Sequence, residues 1–359
     1  MEGESAADLQ ELLMVRPALL GVKGSHRIRY FPLPWKVAGV DVSDKQSIAE
    51  VYDKIKARWK VKSFSLFYRY TPKTNPRYKP LGKKILKRGS VIYDIVDEEV
   101  EEIQDEEVLG WADWLVQDGS ISFHRAGRMK NELAVWVSFR FPDIYELAWE
   151  GCYVEFYLIA IVGRRLSWQR IPQGFIASFV PVLMPLDIVL PIPDVGVIRE
   201  KWQGLPGCWS MGLKSLRELD EEARKQKYYT FTTFLFEQKK RFYELVDRYY
   251  RMQEIKLDDR GVAAYVNPLW DPKSFLSEDD GWFFRFFRNE FGTNLNSREE
   301  IAGSLLACFL TVSEIVSRTF FYRTNLKDTL VVSRMQYILL GRGALAIKKA
   351  LKEALGYVV

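Results

Sequence analysis

The sequence predicts a multidomain α+β protein with a small mixed N-terminal domain, a β-rich middle domain and a helical C-terminal domain. Three observations carry that reading. Short apolar stretches with two-residue alternation fill the first two thirds of the chain, the period switches to helical from about Ser215, and a run of carboxylates separates the first block from the second. At 359 residues the chain is also longer than one comfortable core. The expected divisions are an amphipathic arm over 1–25, a mixed basic domain over 26–96, an acidic linker over 97–107, a β-rich domain over 108–214 and a helical domain over 215–359.

In chain order, the arm carries Leu9, Leu12, Leu13, Leu19 and Leu20. Two extended pieces, Arg27–Leu33 and Trp35–Val42, flank Pro34. Ser47 with Glu50 three residues on predicts a capped helix whose inner stripe is Ile48, Val51, Ile55 and Trp59. Ser63–Thr71 alternates as a strand, with Phe64, Leu66, Tyr68 and Tyr70 expected to form one core face. A loop bearing Pro72, Pro76 and Pro80 leads to Gly89 and a last strand, Val91–Val96. Strand, strand, helix, strand, loop, strand is the order found in small β-grasp domains, although many α+β domains share it.

In the middle region, Leu133 to Phe141 alternates as a half-buried strand, and Cys152–Val162, apolar except for Glu155, is expected at the centre of a sheet. Gly174–Ile198 is interrupted by Pro181, Pro185, Asp187, Pro191, Pro193 and Asp194, which predicts buried extended chain and not a membrane span. Helical periods cover Leu216–Lys227, Lys239–Ile255, a helix opened by Ser297 and Glu300 and running to about Phe321, and a last helix ending near Gly356.

Charge is the strongest functional signal. From Lys54 to Tyr93 there are thirteen Lys or Arg and no Asp or Glu, whereas Asp97 to Glu107 holds eight carboxylates and no cation. The chain's net charge of +5 is therefore the difference of these two neighbours, 13 − 8. A solvated surface ordinarily mixes signs. Unmixed cations interleaved with flat side chains suit phosphates and unpaired bases. The candidate contacts are Lys60, Lys62, Arg69, Lys73, Arg77, Tyr78, Lys79, Lys83, Lys84, Lys87 and Arg88. Lys54, Arg58, Lys56 and Lys60 flank the helix stripe, a position where long cations often only cover apolar neighbours.

Other chemistry is sparse. His26 and His124 have no metal or catalytic spacing, and Cys152, Cys208 and Cys308 stand alone with neither a zinc pattern nor a disulfide framework, so no cofactor is expected. Gly341-Arg342-Gly343 is read as a close helix packing point and not as a phosphate loop. A metal-dependent nuclease would have to bring Asp41, Glu155 and Asp187 together. On the C-terminal helices, Phe242, Leu245, Tyr249 and Met252 read as core, while Lys239, Lys240, Arg241, Arg248 and Arg251 read as a solvated face. The N-terminus lacks a basic-then-apolar leader, so the expectation is a soluble, intracellular or particle-enclosed protein without membrane contact.

The functional expectation is a non-catalytic nucleic-acid-binding or scaffold protein, DNA or RNA, acting through residues 54–93. The alternative is a structural subunit of a virion or other large assembly, whose abundant aromatics make protein or self-association contacts. The nuclease stands third.

Overall fold

The computed structural model describes residues 32–57, 60–70, 77–88, 91–99, 104, 106, 109–128, 134–147, 149–163, 174–191, 197–201, 221–269, 287, 298–318, 330–339 and 342–358. Over these residues the chain is mixed α and β, with two antiparallel sheets and several helices. The arm over 1–25 and the extended piece Arg27–Leu33, except for its end, lie outside the described residues.

The chain opens with a one-turn helix α1 (Pro34–Val37), a short strand β1 (Val40–Asp41) and a helix α2 (Ile48–Lys54). Trp35–Val42 is thus not one extended piece. Pro34 sits at the first helical position, where its fixed φ is pre-set for a helix and its missing N–H is not needed. Gly39 returns the chain with φ +71°, and a Cβ there would lie 2.2 Å from the Ala126 carbonyl oxygen, so glycine is required by both backbone and space. The α2 cap forms as expected: the Ser47 hydroxyl accepts from the Glu50 N–H at 3.3 Å. The Glu50 carboxylate reaches back one residue further than in a standard box, to the Gln46 N–H.

Three strands follow, β2 (Val61–Tyr70), β3 (Arg77–Arg88) and β4 (Val91–Asp97), paired in chain order as a separate antiparallel sheet. The expected proline loop is shorter than its sequence suggested, because Arg77–Arg88, including Pro80 and the Lys83–Arg88 run, is strand. Pro80 is accommodated beside a β-bulge, where Leu81, Gly82 and Lys83 stand opposite Leu66 and Gly82 takes φ +67°.

After helix α3 (Trp111–Gln117) comes the large sheet, made of β1, β5 (Ser122–Arg128), β6 (Ala134–Glu146), β7 (Tyr153–Gly163), β8 (Gly174–Met184) and β10 (Val197–Lys201) in that order, with β9 (Ile188–Val189) also on β8. β7 is central, as its two-sided apolar pattern requires. One face is aromatic: Phe139 meets both Phe123 and Trp111 of α3, and Phe156 meets Phe242 of the long helix α4 (Glu221–Glu254) with ring centroids 5.1 Å apart. The described part of the helix expected at Leu216–Lys227, residues 221–227, and the helix expected at Lys239–Ile255, as far as Glu254, form parts of this single helix, and residues 216–220 lie outside the described residues.

Helices α5 (Asp259–Val266), α6 (Leu305–Arg318), α7 (Leu330–Leu339) and α8 (Arg342–Leu355) follow among the described residues. The helix expected from Ser297 begins later, with turns over residues 298–303 before it. Every residue from Leu305 to Ser317 is buried, and α6 joins the sheet where the Ser317 hydroxyl accepts the Val189 N–H. A Cβ at Gly343 would lie 2.7 Å from the Tyr337 carbonyl oxygen, so Gly343 serves close packing. No helix among the described residues is long and apolar enough to cross a membrane.

One hydrophobic core runs from Leu33 through the large sheet to Ala354. Residues 33–57 contribute to that core, whereas the small sheet has its own, in which, among the described residues, only Val61 and Leu86 are buried. The segment 26–96 is therefore shared between two sheets. The expected division at 214 lies outside the described residues, and the buried residues on its two sides belong to the same core.

Candidate nucleic-acid interface

Strand alternation sorts the small sheet's side chains onto two faces, and directly paired residues share a face. Val61 and Leu86, with Val96 against them, define the packed face. Lys62, Phe64 and Tyr68 of β2 take the opposite, open face, with Lys87, Ile85 and Lys79 paired to them on β3. Ile92 and Ile95 continue the open face on β4, paired with Lys87 and Ile85, and Lys83 pairs there with Asp97. The bulge adds two residues to β3 and none to β2, so both strands keep their alternation through it.

The open face is apolar in its middle and cationic around it. Phe64 is 52% and Tyr68 44% exposed, and Ile92 and Ile95 are exposed beside them. The expectation that Phe64 and Tyr68 fill a core is thus overturned: both are exposed, and among the described residues the small sheet's buried cluster is Val61 and Leu86 on the other face. Four residues apart on one strand, the two rings are spaced by about 13 Å. Lys62, Lys79, Lys83 and Lys87 stand among them. Flat rings at strand spacing between cations can stack unpaired bases while the cations meet phosphates.

The sequence candidates do not all converge. Arg69 and Tyr78 pair with each other on the packed-face side of the hairpin, and half-buried Lys84 pairs with Ser65 there. Lys60 is exposed just before β2. Arg77 and Arg88 pair through their backbones with Tyr70 and Val61, and Lys73 lies outside the described residues. Sequence reasoning missed Phe64 and Tyr68 as contacts. A partial signal was there, because Lys62 shares their side of the β2 alternation.

The acidic run is fastened to this sheet. Lys83 Nζ lies 3.2 Å from Asp97, the Ser65 hydroxyl donates to Glu98 at 2.5 Å, and the Glu98 N–H donates to the Gly82 carbonyl. Gln104 accepts the Val61 N–H at 2.9 Å and donates to the Val61 carbonyl at 3.2 Å, making both bonds a further strand would make at that edge.

The three nuclease candidates have other occupations. The Asp41 carboxylate accepts the Ser43 N–H and hydroxyl, which hold its pKa below the usual carboxylate range. Glu155 and Asp187 do meet, but at a lysine: Lys36 Nζ lies 2.7 Å from Asp187, 3.8 Å from Glu155 and 3.0 Å from the Met184 sulfur. Arg140 and the Tyr157 hydroxyl each donate to Glu155 at 2.5 Å. His124 completes the cluster, its ring 5.4 Å from that of Tyr157 and its Nδ1 3.2 Å from the Ser138 hydroxyl. Burial lowers His124 to about 4 and raises Tyr157 far above an ordinary phenol. Both Glu155 oxygens are engaged, so the cluster joins α1 to the sheet through ion pairs. Among the described residues no group of three His, Cys, Asp or Glu could hold a metal ion. No family model, curated protein or solved structure matches the chain.

Proposed function

We propose that the protein binds single-stranded nucleic acid without catalysis, using the open face of the small sheet. The observation that supports this is the in-register row of exposed Phe64 and Tyr68 flanked by Lys62, Lys79, Lys83 and Lys87. An aromatic row suits unpaired bases, whereas duplex DNA would present mainly phosphates to it. Phosphate attraction supplies most of the affinity, and ring stacking sets the preference for single strands.

Fluorescence polarisation with matched single-stranded and duplex DNA and RNA, at two salt concentrations, tests the reading. Tighter binding to a single-stranded form, weakening as salt rises, is the expected result. Absence of binding at low salt, or equal affinity for single strands and duplex, overturns it.

A further inference from the structure

We infer that α4 carries one half of a two-fold homodimer interface, an inference independent of the nucleic-acid reading. The inner stripe of this helix, Leu235, Phe242, Leu245, Val246, Tyr249 and Met252, is buried against the body. Beside it Phe236, Tyr243 and Tyr250 recur at seven-residue spacing, and all three are exposed, Phe236 at 61%. Seven residues is the repeat of a helix–helix seam. Single exposed aromatics are ordinary, but a periodic row of them along one helix marks a contact surface.

Charge chooses the occupant. Lys240 and Asp247 are exposed on the same side of the helix, three residues before Tyr243 and four after it. Let a second copy of α4 lie antiparallel, with the two-fold axis at Tyr243. Tyr243 then meets its own counterpart, and Phe236 meets Tyr250 of the second copy. Lys240 falls within one residue of the second copy's Asp247, a mismatch of about 1.5 Å.

Each pair occurs twice, as an isologous contact requires. Within one helix Lys240 and Asp247 are about 10 Å apart along the axis and do not reach each other, whereas across the two-fold axis they do. The aromatic row lies about 115° round the helix from the buried stripe, and the Tyr243 ring also stands 5.2 Å, centroid to centroid, from that of Tyr145 of β6.

Sedimentation velocity on the full-length chain over about 1–100 μM tests the inference. The parent should dimerise reversibly. Lys240→Asp and Asp247→Lys should each weaken the dimer at least about tenfold by placing like charges together, and the charge-swapped double variant should regain most of the loss. Phe236→Ser should weaken it by a similar factor without touching the charges. All three positions are exposed, and circular dichroism checks that each variant folds. A parent monomeric at the highest concentration overturns the inference. So does a dimer indifferent to both single charge changes, or a double variant no tighter than the singles.

Discussion

Tyr68 of β2 and Lys79 of β3 stand directly opposite each other on the open face of the small sheet, an aromatic face and a cation in one cross-strand pair. Phe64 and Ile85 repeat the arrangement four residues earlier with an apolar partner. The proposed preference for unpaired bases over duplex rests on this alternation of stacking and charge along adjacent strands.

Replacing Phe64 and Tyr68 with Ala should weaken single-stranded ligands by about 1–3 kcal/mol per ring and duplex ligands far less. Tyr78→Ala, on the other side of the hairpin, should leave both nearly unchanged. Polarisation titrations separate the two, and an equal loss from Tyr78→Ala would mean that the ligand wraps the hairpin.

With four lysines on the open face, log affinity for single strands should fall with log salt at a slope of about −3. Replacing Lys62, Lys79, Lys83 and Lys87 together with Ala should flatten that slope. Replacing Arg69 and Lys84 should change it little.

Asp97 lies against Lys83 and competes there with any phosphate. Asp97→Asn should tighten non-specific binding at low salt, and the gain should vanish as screening shortens the reach of the charge. Both groups are largely exposed, so the variant should not alter thermal stability measurably.

Glu155→Gln should destabilise the protein by about 2–3 kcal/mol, because it leaves Arg140 and Lys36 beside a neutral group at a largely buried position. Denaturant unfolding measures the loss. Nucleic-acid affinity should not move, since the cluster lies on the large sheet and the proposed interface on the small one.

His124 supplies a pH signature. Burial holds its pKa near 4 in the folded chain against 6.5 for the free side chain, so the unfolded chain binds the extra proton first. Stability from this group is complete above about pH 6.5 and is lost as pH falls toward 4, by about 2 kcal/mol once residual solvent access is allowed for. The difference in unfolding free energy between parent and His124→Gln should shrink across that window.

The elements most legible in the sequence were those whose patterning and burial agree. β7 is apolar on both sides and central, the Ser47 cap opens α2, and Phe242, Leu245, Tyr249 and Met252 are core. The small sheet was harder because Phe64 and Tyr68 alternate like core residues yet are exposed, and periodicity reports a face without saying what meets it. Lys36, Arg140 and Tyr157 escaped notice because their cluster joins strands and a helical turn remote in sequence, a juxtaposition that only topology creates. The proline loop misled because a bulge lets Pro80 sit inside a strand.

β1 pairs with β5 across the entire small sheet, Val40 opposite Ala126 and Asp41 opposite Arg125. The roots of the excursion are tied as well: Arg128 holds the Lys56 carbonyl, and Asp113 of α3 accepts the Ile48 N–H of α2. The chain thus leaves the body and re-enters it at a seam already closed by the body's own bonds. A unit grafted in this way can be lengthened, exchanged or lost over evolutionary time while its host keeps folding, so relatives of this chain should share the large sheet and its helices and differ most between α2 and α3.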